Sequence, residues 1–289
     1  MLKHHFAEPT FSGRAVVLGA GGFVGSSTVR KLSAAGMEVL PLTRQELDLE
    51  TPQAADTLAG MLRPDDALIF ISAKAPVKNV SMLLPNIRMA EAVCGAIEKS
   101  PVAHVVYVSS DAVYADSPDP LSEISVAEPG ALHGVMHLAR ELALRHVCDA
   151  PLAILRPTLI YGADDPHNGY GPNSFRRLAA AGEDITLFGE GEERRDHVYV
   201  EDVADLLCRM VGHRSEGVLN AATGVVTSFR EIAEQVIALA PQTVSIKTTP
   251  RSGPMPHDGY RPFDSTATRT AFADFQYSPL SDGLAIAVK

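Results

Sequence analysis

Tryptophan is absent from the 289 residues, aromatic residues make up only 6%, and cysteine occurs three times. Three thiols, Cys94, Cys148 and Cys208, are an odd number without short spacings, which fits neither a disulfide framework nor a zinc knuckle. All three fall in apolar, helix-patterned stretches, as free thiols of a reducing compartment do. Basic residues are also in the minority, with 25 Lys and Arg against 35 Asp and Glu and a net charge of -10. That balance argues against a nucleic-acid partner or an anionic membrane surface, although a few arginines can still gather into a local anion site. No run approaches the roughly 18 apolar residues of a spanning helix, and the opening MLKHHFAEPTFSG has neither an apolar h-region nor a small-residue cleavage site. A cytoplasmic protein with a small-molecule ligand is the expectation.

What is present is material for a core. Hydrophobic residues reach 46%, enough for one large α/β unit with a smaller lobe. From Arg14 onward, apolar runs alternate with amphipathic helical stretches, the mark of βαβ units and a parallel sheet. Five strands are expected over 14–19, 37–43, 66–72, 104–110 and 151–157, each nearly continuous in apolar residues because both faces of such a sheet are covered. The first helix is expected from Val24 to Gly36, whose missing Cβ suits a left-handed C-cap; others cover about 86–99 and 198–211. After Tyr161 the texture changes to GADDPHNGYG, which marks a loop or the entry to a second lobe. The Pro- and Gly-rich stretch over 251–262 reads as a surface connection. The expected fold is therefore a Rossmann-type doubly wound parallel sheet of the α/β class with a smaller, discontinuous substrate-binding lobe.

The turn after the first strand reads GAGGFVGSS, with Gly19, Gly22 and Gly25 between strand and helix. A chain that turns sharply there can bring its backbone close to a pyrophosphate, and the helix N-terminus offers free N–H groups to an anion. The alternative is a tight strand-to-helix connection without a ligand. Where the second strand ends, an acidic residue would hydrogen-bond the ribose of NAD and a base would accept the extra phosphate of NADP. The chain shows Thr43 and Arg44 there, with Glu46 beyond, so NADP is favoured over NAD unless Arg44 is only a solvated surface charge.

Several further segments occur in an order that resembles the extended short-chain dehydrogenase/reductases, the NAD-dependent epimerase/dehydratase family of nucleotide-sugar type. VSSDAVY (108–114) is similar to that family's Ser-Ser-x-x-Val-Tyr, LRPTLIYG (155–162) to its Arg-Pro-x-x-x-Tyr-Gly, and FGEGEERRDHVYVEDVA (188–204) to its diphosphate-binding Arg-Asp stretch. LNAATG (219–224) is similar to the turn that follows. The resemblance implies a cofactor site that also takes in Phe23, Val24, Asp48, Leu49, Ala73 and Pro157. It implies a catalytic role for Ser110, which would hydrogen-bond the reacting oxygen, and for Asp111 beside it. The Asp-Glu pair of the 4,6-dehydratases is broken here by Ala112, which counts against dehydration.

The family's Tyr-x-x-x-Lys corresponds to HGVMHLARE (133–141), so His133 and His137 stand in place of Tyr and Lys. A spacing of four keeps both on one helix face. A phenol needs a neighbouring cation to lower a pKa of about 10, whereas imidazole titrates near 6.5 unaided, so His133 can serve as acid or base. Three other readings stay open: polar residues left in a cleft without chemistry, a two-histidine metal site that lacks a third ligand, and a segment wrongly matched.

The same resemblance implies that residues 14–161 and 196–216 bind the dinucleotide and that 162–195 and 217–289 form the substrate lobe. It implies that Asn173, Phe188, Arg195 and Arg261 hold a nucleotide sugar, the two arginines on its diphosphate, and that a homodimer forms through helices near 86–99 and 132–148. An NAD(P)-dependent sugar epimerase or ketoreductase is the expected function. The alternative is a dinucleotide-binding sensor or partner protein without redox turnover.

Overall fold

The computed structural model describes residues 2–287. The first half of the chain alternates strand and helix: β1 (Lys3–His4), β2 (Arg14–Leu18), α1 (Phe23–Ala34), β3 (Glu38–Leu42), α2 (Ala54–Met61), β4 (Ala67–Phe70), α3 (Val80–Lys99), β5 (His104–Val108), α4 (Leu132–Val147) and β6 (Leu152–Pro157). The second half continues with β7 (Leu159–Tyr161), α5 (Pro172–Ala181), β8 (Ile185–Phe188), β9 (Arg194–Tyr199), α6 (Val200–Gly212) and β10 (Ser215–Ala221). It closes with β11 (Val226–Ser228), α7 (Phe229–Leu239), β12 (Ile246–Thr249), β13 (Tyr260–Arg261), α8 (Thr266–Ala271) and α9 (Leu280–Ala287).

All five expected strands form, and β2, β4 and β5 are buried at every residue. They belong to a seven-stranded sheet in the order β1-β10-β6-β5-β4-β2-β3, parallel except where β1 pairs with β10. Helices cover both faces, with α1 and α6 contributing to one core and α2, α3 and α4 to the other. The chain leaves β2 for β3 on one side and returns to β4 on the other, so the strand order reverses at β2. In an open parallel sheet the crevice beyond the C-terminal strand ends at such a reversal is where ligands bind. The segment 43–53 is too short to add another strand with its crossover, so α2 follows β3 directly.

The smaller lobe is built on β9, which pairs with β7, β11 and β13, and on the separate pair β8–β12. Phe175, Leu187, Phe229, Ile232 and Leu284 are part of its core. Its limits differ from the expected ones. The division at 216/217 cuts through β10, which pairs with β6 and lies in the main sheet; β9 belongs to the lobe, and only α6 behind it returns to pack on α1. Residues before 14 also count, because β1 forms the sheet edge. Alternation and turn residues reveal elements but not which sheet a strand joins.

Helix α3 begins earlier than the expected residue 86. The Asn79 side chain caps it by accepting from the Met82 N–H at 3.0 Å, and Pro85 sits within it. By length and hydropathy α3 would qualify as a membrane span, contrary to the expectation that no run comes close. Met89, Val93, Ala96 and Ile97 nevertheless pack into the sheet, which makes it a core helix.

Candidate active site

The glycine turn is closed to side chains. Gly19 has a φ of +90°, and a Cβ on Gly25 would lie 2.0 Å from the Gly19 carbonyl oxygen, so α1 rests directly on the turn. Its N-cap, Gly22, contributes no side-chain cap, and the first-turn N–H groups are left for another partner. A cleft of about 930 Å³ opens there, and all ten residues expected to hold the cofactor line it: Gly19, Gly22, Phe23, Val24, Gly25, Arg44, Asp48, Leu49, Ala73 and Pro157. Its volume is at the upper end for small-molecule sites, and the cradle of bare backbone fits a pyrophosphate.

Charges alternate at the far end of this cleft. Arg44 reaches Asp48 at 3.1 Å and Glu50 at 3.5 Å, and Lys74 pairs with Glu50 at 2.5 Å. Arg44 remains 67% exposed. The Glu46 carboxylate folds back to accept from the Thr43 N–H at 2.9 Å and from its hydroxyl. A carboxylate thus does reach the end of β3, but it closes the turn and does not line the cleft.

The other end holds the two histidines. His133 and His137 both line the cleft on α4, their rings edge to face with centroids 4.8 Å apart. His137 is 5% exposed, and its Nδ1 lies 2.7 Å from the Tyr107 hydroxyl. Burial lowers the pKa of both imidazoles; the Asp111 carboxylate pulls that of His133 upward, while Arg140 pushes both down. Both shifts favour the neutral imidazole. Ser110 lines the same wall, accepting from the Ala112 N–H at 3.1 Å, and its hydroxyl points to the Asp111 carboxylate at 3.3 Å. Behind it, Glu141 accepts from Arg156 at 2.9 and 2.5 Å and from Ser109 at 2.6 Å, which ties α4 to β5 and β6.

On the lobe side, Arg195 and Asn173 line the cleft. Asn173 accepts from the Gly162 N–H and donates to the Ile160 carbonyl, both at 3.1 Å, so it braces the loop above the cleft. Arg195 pairs with Glu193 at 3.3 Å, and the other oxygen of Glu193 pairs with Arg251 at 3.1 Å. Asp196, next in sequence, accepts from Thr223 and the Gly224 N–H, both at 2.8 Å, and pins the LNAATG turn. Burial pushes the thiols of Cys94 and Cys208 up to about 11 and that of Cys148 up to about 12, which removes them as nucleophiles at neutral pH.

The sequence profile of the NAD dependent epimerase/dehydratase family matches residues 15–222. The chain belongs to that family. A curated relative, a UDP-glucose 4-epimerase of Mycolicibacterium smegmatis, is 29% identical over 254 residues, spanning 76% of this chain and 80% of the relative. Among solved structures, the Thermus thermophilus UDP-glucose 4-epimerase in complex with NAD has a TM-score of 0.83 at 22% identity, covering 96% of this chain and 98% of its own. A GDP-L-fucose synthetase from Naegleria fowleri bound to NADP has a TM-score of 0.82 at 17% identity, covering 98% and 94%.

Two of the expected substrate residues sit elsewhere in this epimerase/dehydratase-family chain. Arg261 is 1% exposed and saturated: it donates to the Asp111 carboxylate at 3.1 Å, to the Asp111 carbonyl at 2.8 Å and to Asp116 at 2.6 Å. The cause is β13, which lies beside β9 and turns Arg261 inward from a stretch that reads as a surface connection. The same pair commits Asp111 to structure. Phe188 ends β8 on its outward face, 45% exposed and against Tyr170, and does not line the cleft. Sequence reading overlooked Arg251, which Glu193 holds beside Arg195, and His197, a buried cleft residue whose pKa burial lowers to about 3. An arginine just after a strand in a Gly-Pro stretch was the available signal for the first; none marks the second.

Proposed function

We propose that the protein is an NAD(P)-dependent epimerase or ketoreductase of nucleotide-linked sugars in which His133 moves the proton. Family membership and the glycine cradle support the cofactor, which when bound would supply and take back hydride. The observation that carries the reading is the imidazole pair on the cleft wall beside Ser110, at positions that the sequence resemblance matches to the family's Tyr and Lys. Ser110 orients the substrate oxygen and His133 exchanges a proton with it. A charged His133 is tolerated beside a neutral reduced nicotinamide and repelled by the cationic oxidised ring, so His133 serves as acid with the reduced cofactor and as base with the oxidised one. With Asp111 held by Arg261 and Ala112 following it, elimination has no free acid–base pair.

Arg195, on the cleft wall, would meet a diphosphate with its guanidinium fork, with Arg251 behind it on the other oxygen of Glu193. The exposed Arg44 at the end of β3 supports NADP over NAD. The exposed Val80 and Leu84 of α3 and Val135 and Leu142 of α4 suit the homodimer that the family resemblance implies, and three free thiols suit the cytoplasm. The test is to incubate purified protein with each nicotinamide cofactor and a panel of nucleotide sugars and their keto forms, following reduced-cofactor absorbance and sugar products. Turnover that disappears in His133→Ala supports the reading. Tight cofactor binding with no product from any sugar makes the protein a dinucleotide-binding sensor instead.

A further inference from the structure

The wall behind His137 is built by Tyr107 of β5 and Arg140 of α4. Tyr107 in the middle of the sheet is fully buried, and its hydroxyl has one hydrogen-bond acceptor among the described residues, the Nδ1 of His137. Arg140, one helical turn further along α4, is also buried. It donates to the Ser72 carbonyl at 2.9 Å and to the Asn86 carbonyl at 3.0 and 2.7 Å, and its charge reaches the Tyr107 phenol. A guanidinium only donates, so it cannot take the phenol proton. A buried hydroxyl that leaves its proton unshared loses the hydrogen bond it makes to water in the unfolded chain, and the one acceptor in reach among the described residues is Nδ1.

We propose that Tyr107 is a positioning residue that locks His137 as the Nε2–H tautomer, so that the cleft wall presents a neutral hydrogen-bond donor where the family carries an ammonium. The inference rests on the catalytic reading given above. The cation of the site is displaced from the cleft surface to Arg140, one layer down. His137 keeps its donor across the physiological range, and His133 alone titrates. Every group that faces His137 acts in this direction: Arg140 and His133 from its own helix oppose a charge on it, and Tyr107 from β5 occupies its only buried nitrogen. Asp111, from the turn after β5, acts on His133 instead. The Nε2–H is therefore available to a hydroxyl or carbonyl oxygen of a ligand in the cleft, and unavailable as an acceptor.

Imidazole-nitrogen NMR of histidine-labelled full-length protein, with NADP present and pH varied between about 5 and 8, where free histidine titrates, decides the matter. The expected spectrum shows His137 as a single Nε2–H species whose signals stay fixed while those of His133 move. In Tyr107→Phe the same signals shift to a mixture of tautomers, and kcat for ketone reduction falls about tenfold with KM nearly unchanged. A His137 that is Nδ1–H in the unmodified protein, or that gains a proton together with His133, overturns the proposal, and this holds even if Tyr107→Phe does not fold. A locked tautomer without turnover of any sugar would sink the enzymatic reading and leave the positioning role standing. Turnover with an Nδ1–H His137 would do the reverse.

Discussion

Gly134 lies so close to Ala112 that a Cβ on the glycine would fall 1.9 Å from the Ala112 carbonyl oxygen. This contact seats the first turn of α4, and with it His133, on the turn that follows Ser110. A side chain there must push the helix off that turn. Gly134→Ala is expected to cost about 1–3 kcal/mol of stability through overpacking, and to lower turnover more than cofactor binding because its clash is with Ala112 and Pro129 and not with the glycine cradle. Comparing denaturation curves with cofactor titrations and rates on one preparation checks both effects; an equal loss of binding and rate would contradict the seating role.

Asp111 and Arg261 form a buried pair. Removing one partner of such a pair strands a charge, at a typical loss of about 3–5 kcal/mol. Arg261→Met is expected to destabilise by that order, and Asp111→Asn combined with Arg261→Met to recover much of it. Arg195→Ala, at a residue facing the cleft, is expected to raise KM for a nucleotide sugar with little change in unfolding. A large KM effect of Arg261→Met without loss of stability would return that arginine to the substrate.

Rates should depend on pH in opposite senses for the two directions. Burial sets the His133 pKa below its usual value, so the protonated donor is populated only on the acid side of about 6.5. Ketone reduction is expected to speed up as pH falls toward and below that value, while alcohol oxidation, which needs the neutral base, slows. The acid limb should vanish in His133→Gln. Parallel profiles for both directions would remove His133 as the proton carrier.

Arg44 is the cheapest probe of cofactor choice, because its side chain is exposed and its partners Asp48 and Glu50 sit beside it. One charge-assisted bond contributes about 1.5–3 kcal/mol. Arg44→Ala is therefore expected to weaken NADP binding by roughly tenfold or more and to leave NAD binding within about twofold. Calorimetric titration of both cofactors checks this; equal weakening would remove the preference for the phosphorylated form.

The parts of the site legible in the sequence were those set by local backbone. The glycine spacing, the strand end at Ser110 and the helical spacing of His133 and His137 are properties of short segments, and all of them line one cleft. What escaped depends on long-range packing. Arg261 and Arg251 lie ten positions apart in one Pro- and Gly-rich connection, and only the register of β13 on β9 decides which is buried. Phe188 follows the alternation of β8, whose inward positions are Ile185 and Leu187. Tyr107 reads as one more apolar residue of a buried strand until the fold sets its hydroxyl against an imidazole 30 positions away.

Two other buried histidines give the fold a weakness toward acid. His104, held at its Nε2 by the Ser215 carbonyl at 2.7 Å and with no partner for its Nδ1 among the described residues, is lowered by burial to about 4, and His197 to about 3. The unfolded chain binds protons at these residues near pH 6.5, whereas the folded chain does not until pH falls to those lower values. Proton uptake thus favours unfolding throughout the interval, and stability must decline as pH drops from about 6.5 toward 4. Each histidine contributes a slope of about 1.4 kcal/mol per pH unit. Thermal melts across that interval should show Tm falling with acidification, and His104→Gln, which cannot take a proton, should remove close to half of the slope that these two residues supply. A melt that does not move between those limits would mean that the imidazoles find water or a partner in the folded chain and titrate there.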